Sequence, residues 1–123
     1  MTNARHTLGR RGEQYAAQYL NAHGYDIRER NWRCPVGEID LVTEKGGALI
    51  FVEVRTRRGD RLGTPEESIT PAKRAKLIAA AQTYLDEHGQ TDRAWRIDVV
   101  AIEIDSRGEV KRCNLIENAI EET

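Results

Sequence analysis

Two short stretches carry acidic and basic side chains at the alternation a β-strand would place on one face. They are Gly37-Glu38-Ile39-Asp40-Leu41-Val42 and Phe51-Val52-Glu53-Val54-Arg55, and the pair Gly46-Gly47 lies between them. A two-residue hairpin turn of the primed type needs positive φ at its central positions, which glycine adopts without strain. The strand-like runs 38–45 and 48–57 are therefore predicted to form a hairpin in which Lys45 pairs with Ala48 and paired position numbers sum to 93. That register sets Asp40 opposite Glu53, Glu38 opposite Arg55, Val42 opposite Phe51 and Glu44 opposite Leu49, all on one face. Directly opposed residues have Cβ atoms roughly 4.5–5.5 Å apart, and like charges there destabilise a sheet. The reverse face, Ile39, Leu41, Ile50, Val52 and Val54, is wholly apolar and is expected in the core. Two readings fit. In one, Arg55 neutralises Glu38 while Asp40 and Glu53 stand hydrated. In the other, the two acids converge on a hard divalent cation that takes oxygen ligands. Opposed acids beside Phe51 and Val42 make little sense for stability alone, which counts against the first and leaves both open.

The elements that must position this hairpin follow from periodicity. From Leu8, the residues Gly12, Tyr15, Ala16, Tyr19 and Leu20 recur at spacings of three and four, predicting a helix from about Thr7 to His23 that Gly24 stops. Glu13 falls at the margin of that stripe. It is either a solvated helix glutamate or, if the helix lies on the carboxylate face, a third acid reaching over the sheet, with Gly9 and Gly12 allowing close approach. A second helix opens with Thr70 as N-cap and Pro71 at the first position. Its stripe is Leu77, Ile78, Ala81, Tyr84 and Leu85, and His88-Gly89 ends it. Lys73 lies at its margin, where it either snorkels or reaches toward the acids. His23 and His88 read as helix C-terminal residues rather than catalytic groups. Further strands are predicted at Tyr25 to Arg33, Ala94 to Asp105 and Glu109 to Ile116, the last two joined at Ser106-Arg107-Gly108. The order is α-β-β-β-α-β-β, an α/β fold with a mixed central β-sheet flanked by helices, in one domain over residues 1–123.

Composition narrows the function classes. The 123 residues are 39% hydrophobic and 32% charged, with net charge −1. No apolar run approaches the ~20 residues that cross a bilayer, and Arg5, Arg10, Arg11 and Glu13 occupy the place of a signal's apolar stretch. A cytoplasmic protein without a membrane partner is expected. Residues 1–61 hold 11 basic against 8 acidic residues, and residues 62–123 hold 8 against 12. The densest basic stretch, Arg55, Arg57, Arg58 and Arg61, is either a solvated loop or a grip on a polyanion. Cys34 and Cys113 are read as packing residues. A hydrolase built on Ser68 or Cys34 has no nucleophile-elbow or neighbouring histidine pattern to support it.

The hairpin run, with Phe51-Val52-Glu53-Val54-Arg55-Thr56-Arg57, resembles the YraN-like family of uncharacterised bacterial proteins. Gly12-Glu13, Tyr19-Leu20, Asn31-Trp32-Arg33, Thr70-Pro71 with Lys73, and Arg96-Ile97-Asp98-Val99-Val100 extend the likeness over nearly the whole chain. That family is similar to the restriction-endonuclease-like, or PD-(D/E)xK, fold and especially to archaeal Holliday-junction resolvases. The resemblance implies a metal-dependent DNA nuclease, with branched or structured DNA as substrate and a homodimer as its assembly. Asp40 and Glu53 would be the first and second motif acids, Glu13 the helix acid, and Arg55 would stand at the lysine position. Mg²⁺ or Mn²⁺ would be held by Asp40, Glu53, the Val54 carbonyl and Glu13, while Arg57, Arg58, Arg61 and Lys73 grip phosphates. Arg55 departs from the pattern, because arginine stays charged and can only orient or stabilise. Either catalysis tolerates it, with Lys73 supplying the missing amine, or the chain is a non-catalytic nucleic-acid-binding protein.

Overall fold

A computed structural model describes residues 4–59 and 63–121. The elements run α1 (Ala4–Ala22), β1 (Asp26–Cys34), β2 (Gly37–Lys45), β3 (Ala48–Arg58), a single 3-10 turn (Pro65–Ser68), α2 (Pro71–Glu87), β4 (Trp95–Ile104) and β5 (Val110–Ile116). The five strands lie in sequence order across one sheet, antiparallel except for the parallel β3–β4 pair, which the α2 crossover connects. This is a mixed α/β architecture with a helix on each face, in the predicted order of helices and strands.

The hairpin turn forms as its glycines require, with φ of 58° at Gly46 and 80° at Gly47. The pairing rule also holds, from Lys45↔Ala48 to Leu41↔Val52. On one face Val42, Leu49 and Phe51 pack against Leu77, Ala80, Ala81, Tyr84 and Leu85 of α2. On the other, Leu41, Ile50 and Val52 pack against Ala16, Ala17 and Leu20 of α1. Burying a side chain of this size contributes roughly 1.5–3 kcal/mol, so these two clusters fix both helices on the sheet. α2 starts where expected: the Thr70 hydroxyl accepts the Lys73 N–H at 3.2 Å.

Each helix closes with a tyrosine, three residues and a histidine. His23 stacks on Tyr19 and His88 on Tyr84, and each Nδ1 lies within hydrogen-bonding distance of that tyrosine's carbonyl, at 2.7 and 2.9 Å. Both histidines are thus helix-terminal devices. Cys34 packs on the α2 side and Cys113 on the α1 side, as packing residues separated by the sheet. No helix among the described residues is long and apolar enough to cross a membrane.

One expectation about the faces fails. Ile39 joins the α2 cluster instead of sharing the α1 face with Leu41. Strict alternation breaks at Asp40, opposite the point in β1 where Asn31 takes a left-handed φ of 53° between the pairs Arg30↔Leu41 and Trp32↔Ile39. The strand turns over there, and Asp40 sits at the turning point.

Candidate functional site

The β2–β3 ladder stops at Leu41↔Val52, one residue short of the anticipated Asp40–Glu53 pair. β3 continues alongside β4 to Arg58, whereas β2 continues alongside β1 to Gly37, so the two strands part at Asp40. The gap leaves the Val54 N–H without a carbonyl partner from β2, and Asp40 fills the role: its Oδ2 accepts that N–H at 2.8 Å. Asp40 therefore reaches sideways into the fork rather than standing on one face. From there it lies beside Glu53 of β3 and Glu13 of α1, close enough for the Glu53 charge to raise the Asp40 carboxyl and for Asp40 to raise that of Glu13.

α1 comes close enough because Gly12 has no side chain: a Cβ there would collide with the Thr56 hydroxyl. That hydroxyl is buried without a hydrogen-bond partner. Glu13 is carried over the fork by this contact, from the α1 side of the sheet, while Glu53 belongs to the α2 side. The expectation that the helix must lie on the carboxylate face for Glu13 to join is corrected: the fork is open to both faces.

The electrostatics are unfavourable as they stand. Asp40 is 7% exposed. Burial first, then the Glu53 charge, pushes its carboxyl well above the usual range, against the Val54 N–H that lowers it. Glu13 is pushed up to about 7 by burial and by Asp40, with Asn31 opposing. With its amide turned to donate, Asn31 Nδ2 lies 3.2 and 3.3 Å from the two Glu13 oxygens. Burial and the neighbouring negative charge favour the neutral forms of Asp40 and Glu13, the penalty that a bound cation would relieve. Among the described residues no three His, Cys, Asp or Glu side chains form a ready-made metal cluster. The three acids are linked pairwise through Asp40.

Arg55 does not face Glu38 as the register anticipated. Its Nη2 lies 3.2 Å from Glu53 Oε2, with both side chains largely buried, while Glu38 pairs outward with Arg33 at 3.1 Å. The cause is again the parting of the strands, which carries Glu38 away from β3. Arg55 Nε and Nη2 are buried and make no hydrogen bond of good geometry.

The fork opens into a cleft of about 1040 Å³ whose wall includes Glu13, Asp40, Glu53, Val54 and Arg55. Arg57, Arg58 and Lys73 line it, as does Lys76, which sequence reasoning passed over. Lys76 was findable: it stands one turn after Lys73 on the same helix margin. Arg58 is partly engaged, since its Nη1 donates to the Asp105 and Ser106 carbonyls at 3.3 and 3.2 Å. Arg61 lies outside the described residues. Ser68 also lines the cleft, but its hydroxyl donates to the Pro65 carbonyl at 2.6 Å. Asn31 was missed as a site residue; asparagine is enriched among the few non-glycine residues with positive φ, but local sequence does not say which asparagine takes it.

Fold and site together define a mixed α/β protein with a triple-acid fork set in a basic-rimmed cleft. The chain belongs to the uncharacterised protein family UPF0102, whose model matches residues 12–102 and so spans every acid of the fork. It is similar to UPF0102 proteins of Roseiflexus castenholzii (48% identical over 123 residues, 99% of both chains) and Pelotomaculum thermopropionicum (47% over 119 residues, 97% of this chain and 99% of the other). Another similar UPF0102 protein is that of Symbiobacterium thermophilum, at 49% over 112 residues, covering 91% and 94%.

Proposed function

We propose that this protein is a divalent-metal-dependent nuclease with a restriction-endonuclease-like fold that hydrolyses phosphodiester bonds in DNA. The observation that carries the reading is the meeting of Asp40, Glu53 and Glu13 where β2 and β3 part, in a cleft lined with cationic side chains. The donor set suits a hard cation. All three side chains offer carboxylate oxygen, the ligand type Mg²⁺ and Mn²⁺ prefer, and their mutual repulsion is the charge a cation would neutralise.

Asp40 and Glu53 would hold the ion, with Glu13 and the Val54 carbonyl completing the set. A metal bound there supplies an activated water and neutralises charge on the phosphate under attack. The remaining work falls to the chain itself. Burial of Asp40 keeps the acids poorly hydrated, so they bind a cation in preference to water. The Val54 N–H fixes Asp40 Oδ2 and leaves its other oxygen for the ion. Arg55, held by Glu53, presents a permanent positive charge beside the acids, which orients a phosphate but cannot take up a proton from water. Lys73 and Lys76 of α2 and Arg57 of β3 line the path that a phosphate backbone would follow.

The test is incubation with single-stranded, duplex, flapped and four-way DNA in Mn²⁺. Cleavage that Asp40→Ala and Glu53→Ala abolish is the expected result, and cleavage at wild-type rate in both would overturn it. The Arg55–Glu53 pair favours a second reading, because it ties up one acid with a group that lacks lysine's chemistry. On that reading the protein binds DNA without cutting, and the same screen would give retarded but intact substrate.

A further inference from the structure

We infer that Asn31 is a positioning residue of this site, holding the Glu13 carboxylate toward Asp40 and completing the metal-binding set; the inference rests on the metal reading above. Three features of the chain converge on it. Asn31 is one of two non-glycine residues among those described with positive φ, at 53°, in the middle of a strand. The left-handed region costs an ordinary side chain roughly 1–2 kcal/mol, and asparagine is among the few residues that visit it routinely. It is the β1 residue between the pairs Arg30↔Leu41 and Trp32↔Ile39, hence across from Asp40. The side chain that this backbone turns out of alternation then straddles both Glu13 oxygens, at 3.2 and 3.3 Å.

The chemistry of the donor matters as much as its place. β1 carries Arg28, Arg30 and Arg33, yet the residue at Glu13 is a neutral amide. Arg28 pairs with Glu44 and Asp26, and Arg33 with Glu38, so these two arginines of the strand ion-pair elsewhere. A guanidinium on Glu13 would cancel the negative charge that attracts a cation. An amide fixes the carboxylate and leaves its charge intact, the usual task of an outer partner in a metal site.

The test uses the full chain and Mn²⁺ calorimetry. Asn31→Gly keeps the left-handed backbone unstrained and removes only the amide. It is expected to melt within a few degrees of wild type without metal and to bind Mn²⁺ about tenfold more weakly. The double variant Asn31→Gly/Glu13→Gln should bind no more weakly than Glu13→Gln alone, because the amide acts through that carboxylate. Wild-type Mn²⁺ affinity in Asn31→Gly, additive losses in the double variant, or failure of Asn31→Gly to fold would each overturn the role. If wild type binds no Mn²⁺ that Asp40→Asn removes, the metal reading falls and this role with it. Saturable, Asp40-dependent binding untouched by Asn31→Gly overturns the positioning role alone.

Discussion

Two buried aspartates flank the central strand β3, and the fold treats them in opposite ways. Asp98 of β4 is fully buried and fully answered: Arg96 Nε donates to Oδ1 at 2.9 Å, the Tyr25 hydroxyl to Oδ2 at 2.9 Å and the Asn118 N–H to Oδ1 at 2.8 Å. Asp40 of β2 receives one backbone N–H and faces two other acids. A buried carboxylate is tolerated when charge and hydrogen bonds surround it. At Asp98 the protein provides both, and the cluster ties Tyr25 at the entry to β1, β4 and the segment after β5 together. At Asp40 the structure supplies only the Val54 N–H, and this contrast is why we propose a functional role for Asp40 and a structural one for Asp98.

Breaking the answered acid should have the largest effect. Asp98→Ala leaves the Arg96 guanidinium and the Asn118 N–H without their partner, a loss of about 3–5 kcal/mol in denaturant unfolding. Whatever remains folded should still bind Mn²⁺ like wild type, since Asp98 has no part in the fork. Next comes the contact that brings α1 to the fork. Gly12→Ala drives a methyl into Thr56 and is expected to cost about 1–3 kcal/mol while weakening Mn²⁺ binding through the displaced Glu13.

Replacing the unanswered acid should go the other way. Asp40→Asn removes an acid whose charged form burial and Glu53 oppose, so it is expected to stabilise the metal-free protein by about 1 kcal/mol at alkaline pH, where that charge is forced on, as often happens when a strained site is relieved. The pH dependence has a definite sign. Glu13 binds its proton more tightly folded than unfolded, with values of about 7 against an ordinary 4.5. Metal-free stability contributed by that proton is therefore full below about pH 4.5 and is lost as pH rises through about 7. Thermal melts across that window should show the decline, and Asp40→Asn should lessen it without abolishing it, because burial is the larger cause and the Asp40 charge the second. The smallest effect is on the rim. Lys73→Ala should lower the slope of log DNA affinity against log salt by about one and leave Mn²⁺ affinity alone.

Much of this molecule was legible in its residues. The Gly46-Gly47 turn and a side-chain period of two set the hairpin register, and with it the proximity of Asp40 and Glu53. The helices and their histidine ends followed from spacing and from the Thr70, Gly24 and Gly89 signals. The point at which the strands part was not legible, because alternation tells which side a residue takes and not where a ladder ends. That single feature moved Ile39 to the other face, turned Glu38 outward to Arg33 and gave Arg55 to Glu53. Arg58's bonds to the β4–β5 turn depend on a contact between distant segments, which no local pattern encodes.

The central claim, that the Asp40 fork is built to be completed by a divalent cation, is tested most directly by denaturant unfolding at neutral pH with and without Mn²⁺. At a metal concentration 100 times the dissociation constant, wild type should gain about 2.7 kcal/mol and Asp40→Asn nothing. Equal gains in the two proteins, or no gain in wild type at millimolar Mn²⁺, would contradict it.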